Sequence, residues 1–189
     1  MVKDIPCVIL AGGKSSRMGE DKSLLPFKNK SSMVEYQYDK LSKIFQNIYI
    51  SSKTNKFNFN KSLNIIIDNE QNISSPMVAL KTIFEKIEYE KIFIITVDTP
   101  LIEKNTILTI LENSCNYDIT IAKDRYKIHN LCGVFTKKIY LNILNLIKNN
   151  NHKINYLIKS SNHKILSFNN SNQFININKK EDYIKANNF

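Results

Sequence analysis

Short apolar runs rich in β-branched residues recur at 7–10, 47–51, 63–67 and 92–97, each bounded by polar residues. Runs of this length without strict alternation are the pattern of strands buried on both faces. Between them the period changes. Met33, Tyr36, Gln37, Leu41 and Ile44 fall at helical spacing within 32–45. A second helix is predicted over 76–87, with Ser75 as N-cap and Pro76 in the first turn. A third covers 103–111. A fourth covers 137–148, with Ile139, Ile143, Leu144 and Ile147 on one stripe. Strands alternating with helices at this spacing predict βαβ units, hence a three-layer α/β/α, Rossmann-like domain around a mostly parallel sheet. No repeat or linker divides the chain, and the Asn-rich stretches 149–151 and 169–172 read as surface turns, so 1–189 is expected to be a single domain. Ligands of such sheets bind beyond the carboxyl ends of the strands, which directs attention to the residues just after Leu10, Ser51, Ile67 and Val97.

Composition narrows the possibilities. Hydrophobic residues make up 42% of the 189 residues, enough for a real core. No apolar run approaches the roughly 18–20 residues that span a bilayer, so no membrane role is expected. Asp4 and Pro6 interrupt any secretory signal, and a cytoplasmic setting is the expectation. Lys and Arg total 27 against 17 Asp and Glu, a formal net charge of +10. That balance suits an anionic partner. It also suits simple drift, because the excess is almost all Lys in a chain crowded with Asn and Ile. A basic nucleic-acid-binding domain is the alternative from another class, but no aromatic-basic RNA motif or recognition helix supports it, and no nucleic acid is expected as partner. Cys7, Cys115 and Cys132 have no C-x-x-C or close Cys/His spacing, and are expected to be reduced core thiols.

The chain has only four glycines, and Gly12, Gly13 and Gly19 all lie directly after the first strand. Glycine lets backbone N–H groups approach a ligand closely, and a loop of this kind after a strand is where phosphate oxygens are cradled. Lys14, Arg17 and Lys22 in the same loop are cations that can pair with those oxygens. Five residues separate Gly13 from Gly19 and Lys22-Ser23 is displaced, so the loop is not a Walker loop, and G-x-G-x-x-G is absent. Asp98, at the mouth of the most hydrophobic strand and ahead of Thr99-Pro100, is well placed to bind Mg²⁺; the competing role is a helix cap. Near the end, Ile175 and Ile177 alternate with Asn176 and Asn178, which predicts a strand with both amides on one face. Gly133 falls where a ligand or another backbone approaches a strand.

The run L-A-G-G-K-S-S-R-M-G-E-D-K, Leu10 to Lys22, resembles the opening loop of the nucleotidyltransferase superfamily, and within it the molybdenum cofactor guanylyltransferases, the MobA family. The Asp-x-Pro at Asp98 and the Asn-x-Asn at Asn176 and Asn178 are similar to motifs of that family. The resemblance implies a nucleotidyltransferase fold and transfer of GMP from GTP to molybdenum-molybdopterin, with pyrophosphate released. It implies that Leu10, Ala11, Gly12 and Gly13 line GTP, that Arg17 and Lys22 hold the triphosphate, and that Asp98 holds Mg²⁺. Asp68 matches an aspartate that contacts the nucleotide. Ser51 falls where several relatives carry Asn near the guanine. Asn176 and Asn178 are then assigned to molybdopterin, and His129, shortly before Gly133, is taken as a further candidate for that substrate on its residue type alone. On this reading 1–100 is the GTP and Mg²⁺ half and 101–189 the molybdopterin half, and molybdoenzymes or their chaperones are the downstream partners. The nearest rival is a cytidylyl- or sugar-phosphate nucleotidyltransferase. Relatives that transfer CMP usually read L-A-A-G, and Gly12 removes the methyl that would face the base. Ser75 and Ala79 stand where relatives have glycines around Pro76, and Lys179-Lys180 replaces Thr-Pro.

Overall fold

The computed structural model describes residues 1–13, 19–59, 62–68 and 75–189. Its strands are β1 (Cys7–Leu10), β2 (Ile48–Ser52), β3 (Asn64–Ile67), β4 (Lys91–Thr96), β5 (Ile119–Lys123), β6 (Ile128–Thr136) and β7 (His163–Ser167). They form one sheet in the order β3-β2-β1-β4-β6-β5-β7. β6 runs antiparallel to both its neighbours, and every other pairing is parallel. The central position of β4 agrees with its unbroken apolar sequence. The helices are α1 (Met33–Leu41), α2 (Pro76–Lys86), α3 (Lys104–Glu112), α4 (Tyr140–Lys148), α5 (Ile154–Lys159) and α6 (Lys180–Asn187).

Side chains alternate across a strand, so the sheet feeds two cores. Cys7, Ile9, Phe93 and Ile95 point to one face and pack with Met33, Leu41, Ile107, Ile110 and Ala186 from α1, α3 and α6. Val8, Ile92 and Ile94 point to the other and pack with Leu80, Ile83, Ile143 and Leu157 from α2, α4 and α5. This is the three-layer fold that the hydrophobic pattern predicts.

Several predicted boundaries move. Helix α1 stops at Leu41 rather than 45, and residues 42–44 turn back toward β2 through Ile44 N–H to Leu41 C=O. Ser75 caps α2 as expected, accepting from the Met77 N–H at 3.1 Å. Residues Lys137–Ile139 form a 3₁₀ turn ahead of α4. The strand predicted around Asn176 and Asn178 is absent. Residues Ser171–Phe174 form a 3₁₀ turn, and the chain then lies extended across the strand ends instead of beside a sheet edge, with the Ile177 N–H donating to the Asp98 carbonyl at 2.8 Å. An extended segment without a neighbouring strand has the alternation of a strand and none of its ladder. Cys7 and Cys132 are buried, but Cys115 is exposed in the turn after α3, which corrects the expectation of three core thiols. Burial pushes the Cys132 thiol up to about 12, and Lys40 nearby only partly opposes it.

Gly133 is fixed by packing between strands. A Cβ there would lie 2.1 Å from the Thr120 carbonyl oxygen and 2.8 Å from Ile121 Cα. Next to it the β5–β6 register skips from Ile121–Gly133 to Ala122–His129. The obstacle is backbone, which cannot swing aside, so Gly133→Ala is expected to destabilise the fold by roughly 3 kcal/mol or more. Urea unfolding would measure this, and a loss under roughly 1 kcal/mol would show that β5 and β6 can separate at that point.

Candidate active site

The strand registers bring the predicted residues to one end of the sheet. Leu10 lies level with Ser51 on β2 and with Thr96 on β4, and Ser52 lies level with Ile67 on β3. The chain after each strand therefore emerges in a row: the glycine loop after β1, Lys53 after β2, Asp68 after β3 and Asp98 after β4.

At the β1–β4 end, the Lys22 ammonium donates to Asp98 Oδ2 at 2.7 Å, to the Ile177 carbonyl at 3.1 Å and to Asn178 Oδ1 at 3.1 Å. Lys22 and Asp98 are mostly buried, with side chains 12% and 17% exposed. Among the described residues, Asp98 Oδ1 is buried with no hydrogen-bond partner, and so is Asn176 Oδ1. Asp98 caps no helix: the residue at the start of α3 is Glu103. Lys22 is held by the 3₁₀ turn Lys22–Leu24, whose N-cap Asp21 accepts from the Ser23 N–H at 3.0 Å. Arg17 lies outside the described residues.

At the β2–β3 end, Ser51 Oγ donates to Asp68 Oδ1 at 3.2 Å, and both residues are buried. Burial raises the Asp68 pKa above the ordinary carboxylate value, while Ser51, Lys53 and Lys86 oppose the shift. A Cβ on Gly12 would sit 3.5 Å from Asp68 Oδ2 and 3.7 Å from the Lys53 backbone nitrogen, which is ordinary contact. The protein itself would tolerate a methyl there.

The structure also places residues here that sequence reasoning missed. Gln37 of α1 is fully buried, and its amide donates to the Thr96 carbonyl at 3.1 Å and the Thr99 carbonyl at 3.2 Å, clamping the turn that carries Asp98. Lys40, one turn on, donates to the Pro100 carbonyl. Burial lowers the Lys40 pKa to about 8, with Cys132 and Glu103 pulling the other way. Gln37 reads in the sequence as an apolar-stripe position, and that mismatch of a polar residue on a core face was the available signal.

His129 is packed against Phe174. Its side chain is 7% exposed, its ring stacks on Phe174 at 4.2 Å, and Nε2 lies 3.6 Å from Asp124 Oδ2, too far for a hydrogen bond. It supports the segment that leads to Asn176 and Asn178 through Phe174. Asp124 in turn closes the β5–β6 hairpin by accepting from the Tyr126 and Lys127 N–H groups, both at 2.8 Å.

A glycine loop, a carboxylate at the central strand end and a buried carboxylate beside an open glycine, all at the carboxyl edge of a 3-2-1-4-6-5-7 sheet, define the nucleotidyltransferase class. The chain matches the MobA-like NTP transferase domain over residues 7–165. It is 39% identical over 186 residues to a molybdenum cofactor guanylyltransferase of Campylobacter jejuni subsp. doylei, covering 97% of this chain and 96% of that one. It is 30% identical over 188 residues to a molybdenum cofactor guanylyltransferase of Helicobacter pylori, covering 97% and 92%. The fold superposes on the molybdopterin-guanine dinucleotide biosynthesis protein A of Archaeoglobus fulgidus with a TM-score of 0.81, at 16% identity and 97% coverage of each chain. The chain belongs to the molybdenum cofactor guanylyltransferase (MobA) family of nucleotidyltransferases. Among the described residues, no helix is long and apolar enough to cross a membrane.

Burial also holds the His129 pKa below its ordinary value, and the nearby Asp124 only partly offsets this. The folded protein thus disfavours the protonated ring. Stability from this group is full above the unfolded pKa of roughly 6.5 and falls as the pH drops through it, because the unfolded chain then takes up the proton more readily. Denaturant midpoints should therefore decline from pH 7 to 5.5, and His129→Phe, which keeps a ring on Phe174, should flatten that decline. An equal slope in the variant would assign the acid sensitivity to another group.

Proposed function

We infer that the protein transfers GMP from GTP to molybdenum-molybdopterin, forming the guanine dinucleotide cofactor and pyrophosphate. The observation that carries the choice of base is the buried Asp68 carboxylate, whose Oδ2 lies 3.5 Å from where a Cβ on Gly12 would sit. A carboxylate only accepts hydrogen bonds, and guanine presents two adjacent donors, N1–H and the 2-amino group. Cytosine and adenine each place an acceptor where guanine has N1–H. The Ser51 hydroxyl, donating to Oδ1, orients the carboxylate and leaves Oδ2 toward Gly12. With the base at the β2–β3 end, the triphosphate runs along the glycine loop toward Lys22 and Asp98.

The terminal phosphate of molybdopterin attacks the α-phosphorus, a bond to its oxygen forms, and the bond to the bridging oxygen of pyrophosphate breaks. No side-chain nucleophile is needed, since such transfers rest on positioning and charge stabilisation. Lys22 and Arg17 offset the charge of the departing pyrophosphate. Asn176 and Asn178 face the second substrate. Asn176 Oδ1, buried and unpartnered among the described residues, is an acceptor for a pterin N–H.

A Mg²⁺ ion fits the residues present. Among the described residues no cluster of three or more His, Cys, Asp or Glu gathers, but Mg²⁺ is commonly held by one or two carboxylates together with substrate phosphates. Asp98, whose Oδ1 is buried without a partner among the described residues, would hold it. The ion would supply Lewis-acid stabilisation of the charge that develops on the phosphates. GTP as substrate places the reaction in the cytoplasm, and the product passes to molybdoenzymes or their chaperones.

Thermal shift with each nucleoside triphosphate and Mg²⁺ tests the base. GTP should stabilise the protein more than CTP or ATP, because a ligand bound only to the folded state raises its stability. Gly12→Ala should fold normally and narrow the gap, and stronger stabilisation by CTP would exclude guanylyl transfer. Asp98→Asn should retain the fold and lose turnover by roughly a hundredfold or more, the weight of one positioned charge in a transfer site. An active Asp98→Asn enzyme would move the metal elsewhere.

A further inference from the structure

Lys56 lies in the connection between β2 and β3, outside every motif of the site. Its side chain is only 20% exposed. The ammonium donates to the Ala11 carbonyl at 3.2 Å and pairs with Asp21 Oδ2. It also sits 5.3 Å from the centre of the Phe57 ring, which is itself buried. Ala11 and Asp21 are the residues that bracket the glycine loop, one at the end of β1 and the other at the start of the 3₁₀ turn. The second oxygen of Asp21 is committed to that turn, accepting from Ser23 N–H at 3.0 Å and from Ser23 Oγ at 2.6 Å. One cation from a neighbouring connection therefore joins the two ends of the loop, and through Asp21 reaches the turn that carries Lys22.

We propose that Lys56 is a positioning residue for the transfer reaction, setting the span of the triphosphate loop and the aim of Lys22. The proposal deepens the GTP reading above and rests on it. Gly19, which lies between Ala11 and Asp21, occupies the left-handed region at φ +77°. Holding Ala11 and Asp21 in place before the nucleotide arrives lowers the ordering cost of binding, which appears as nucleotide affinity. The Lys56 ammonium is engaged by the Ala11 carbonyl and the Asp21 carboxylate, and through these contacts it shapes the site. The pair is held at mildly acidic pH as well: burial raises the Asp21 pKa, but Lys56 and Ser23 outweigh it and the net shift is downward.

The test is steady-state kinetics and GTP calorimetry on Lys56→Met, Lys56→Arg, Asp21→Asn and the Lys56→Met/Asp21→Asn double variant. Methionine keeps the stem against Phe57 and removes only the charge. Lys56→Met should raise KM for GTP by roughly ten- to a hundredfold, the weight of one charge-assisted contact, with KM for molybdopterin changed less than roughly twofold. Lys56→Arg should recover most of the loss. The double variant should be no worse than the more damaging single one, because both remove the same contact. GTP binding by Lys56→Met equal to that of the wild type would overturn the proposal, as would a loss shared equally between the two substrates or additive effects in the double variant. If Lys56→Met fails to fold, Asp21→Asn alone decides: an unchanged KM for GTP rejects the proposal and a selective rise supports it. Failure of the wild-type protein to bind GTP would instead strike the functional reading itself.

Discussion

The Lys22 ammonium is the point on which the site depends. It touches the carboxylate after β4, a backbone carbonyl of the C-terminal segment and the side chain of Asn178, so three stretches distant in sequence meet on one charge. Such a partly buried ion pair adds little net stability, because both charges lose hydration. Its consequence is geometric. Removing either member would leave the other buried and uncompensated, so the arrangement is tightly enforced. Each charge offsets the other, and the pair ties the turn after β4 to the 3₁₀ turn Lys22–Leu24.

That contact also qualifies the division of the chain into two halves. The sheet takes β1–β4 from residues before 100 and β5–β7 from residues after it, and the family match over 7–165 crosses the boundary without a break. Lys22 belongs to the first half and Asn178 to the second, and they are bonded. A displacement of Lys22 therefore reaches the side chain of Asn178. The Ile177 N–H on the Asp98 carbonyl ties the same two regions a second time.

What the sequence disclosed follows from where each signal resides. Strands β1 to β4 and helices α1 to α4 carry dense periodic apolar runs, and these were readable to within a few residues. Strand β7 and helix α5 were not, because β7 is only half-buried along its length and α5 is too short for a full period. The glycine loop, Asp98 and Asn178 stood out in the sequence as candidates because the loop clusters a rare residue type and the other two lie in short patterned runs. Lys56 did not, since one lysine among so many has no distinguishing mark until the fold brings it against Ala11 and Asp21. Gln37 could have been suspected, as a polar residue within the apolar stripe of α1. Asn176 and Asn178 were assigned to a strand that the fold does not form, since alternation reports extended backbone and is silent about whether a neighbour completes a ladder.

The glycines give the sharpest separation between what the fold requires and what a ligand requires. At Gly133 a methyl would strike backbone, so the residue is explained by the sheet. At Gly19 the positive φ explains it. At Gly12 neither reason applies: the nearest atom to a Cβ is Asp68 Oδ2 at an ordinary 3.5 Å, and φ lies outside the left-handed region. The protein's own packing gives no cause for the side chain to be missing. What a methyl would do there is cover a buried carboxylate that the Ser51 hydroxyl already holds from its other oxygen. Burial raises the pKa of that carboxylate, and Ser51, Lys53 and Lys86 oppose the shift. With neither a clash nor a positive φ to account for it, Gly12 is the glycine of the three whose missing side chain the fold leaves unexplained.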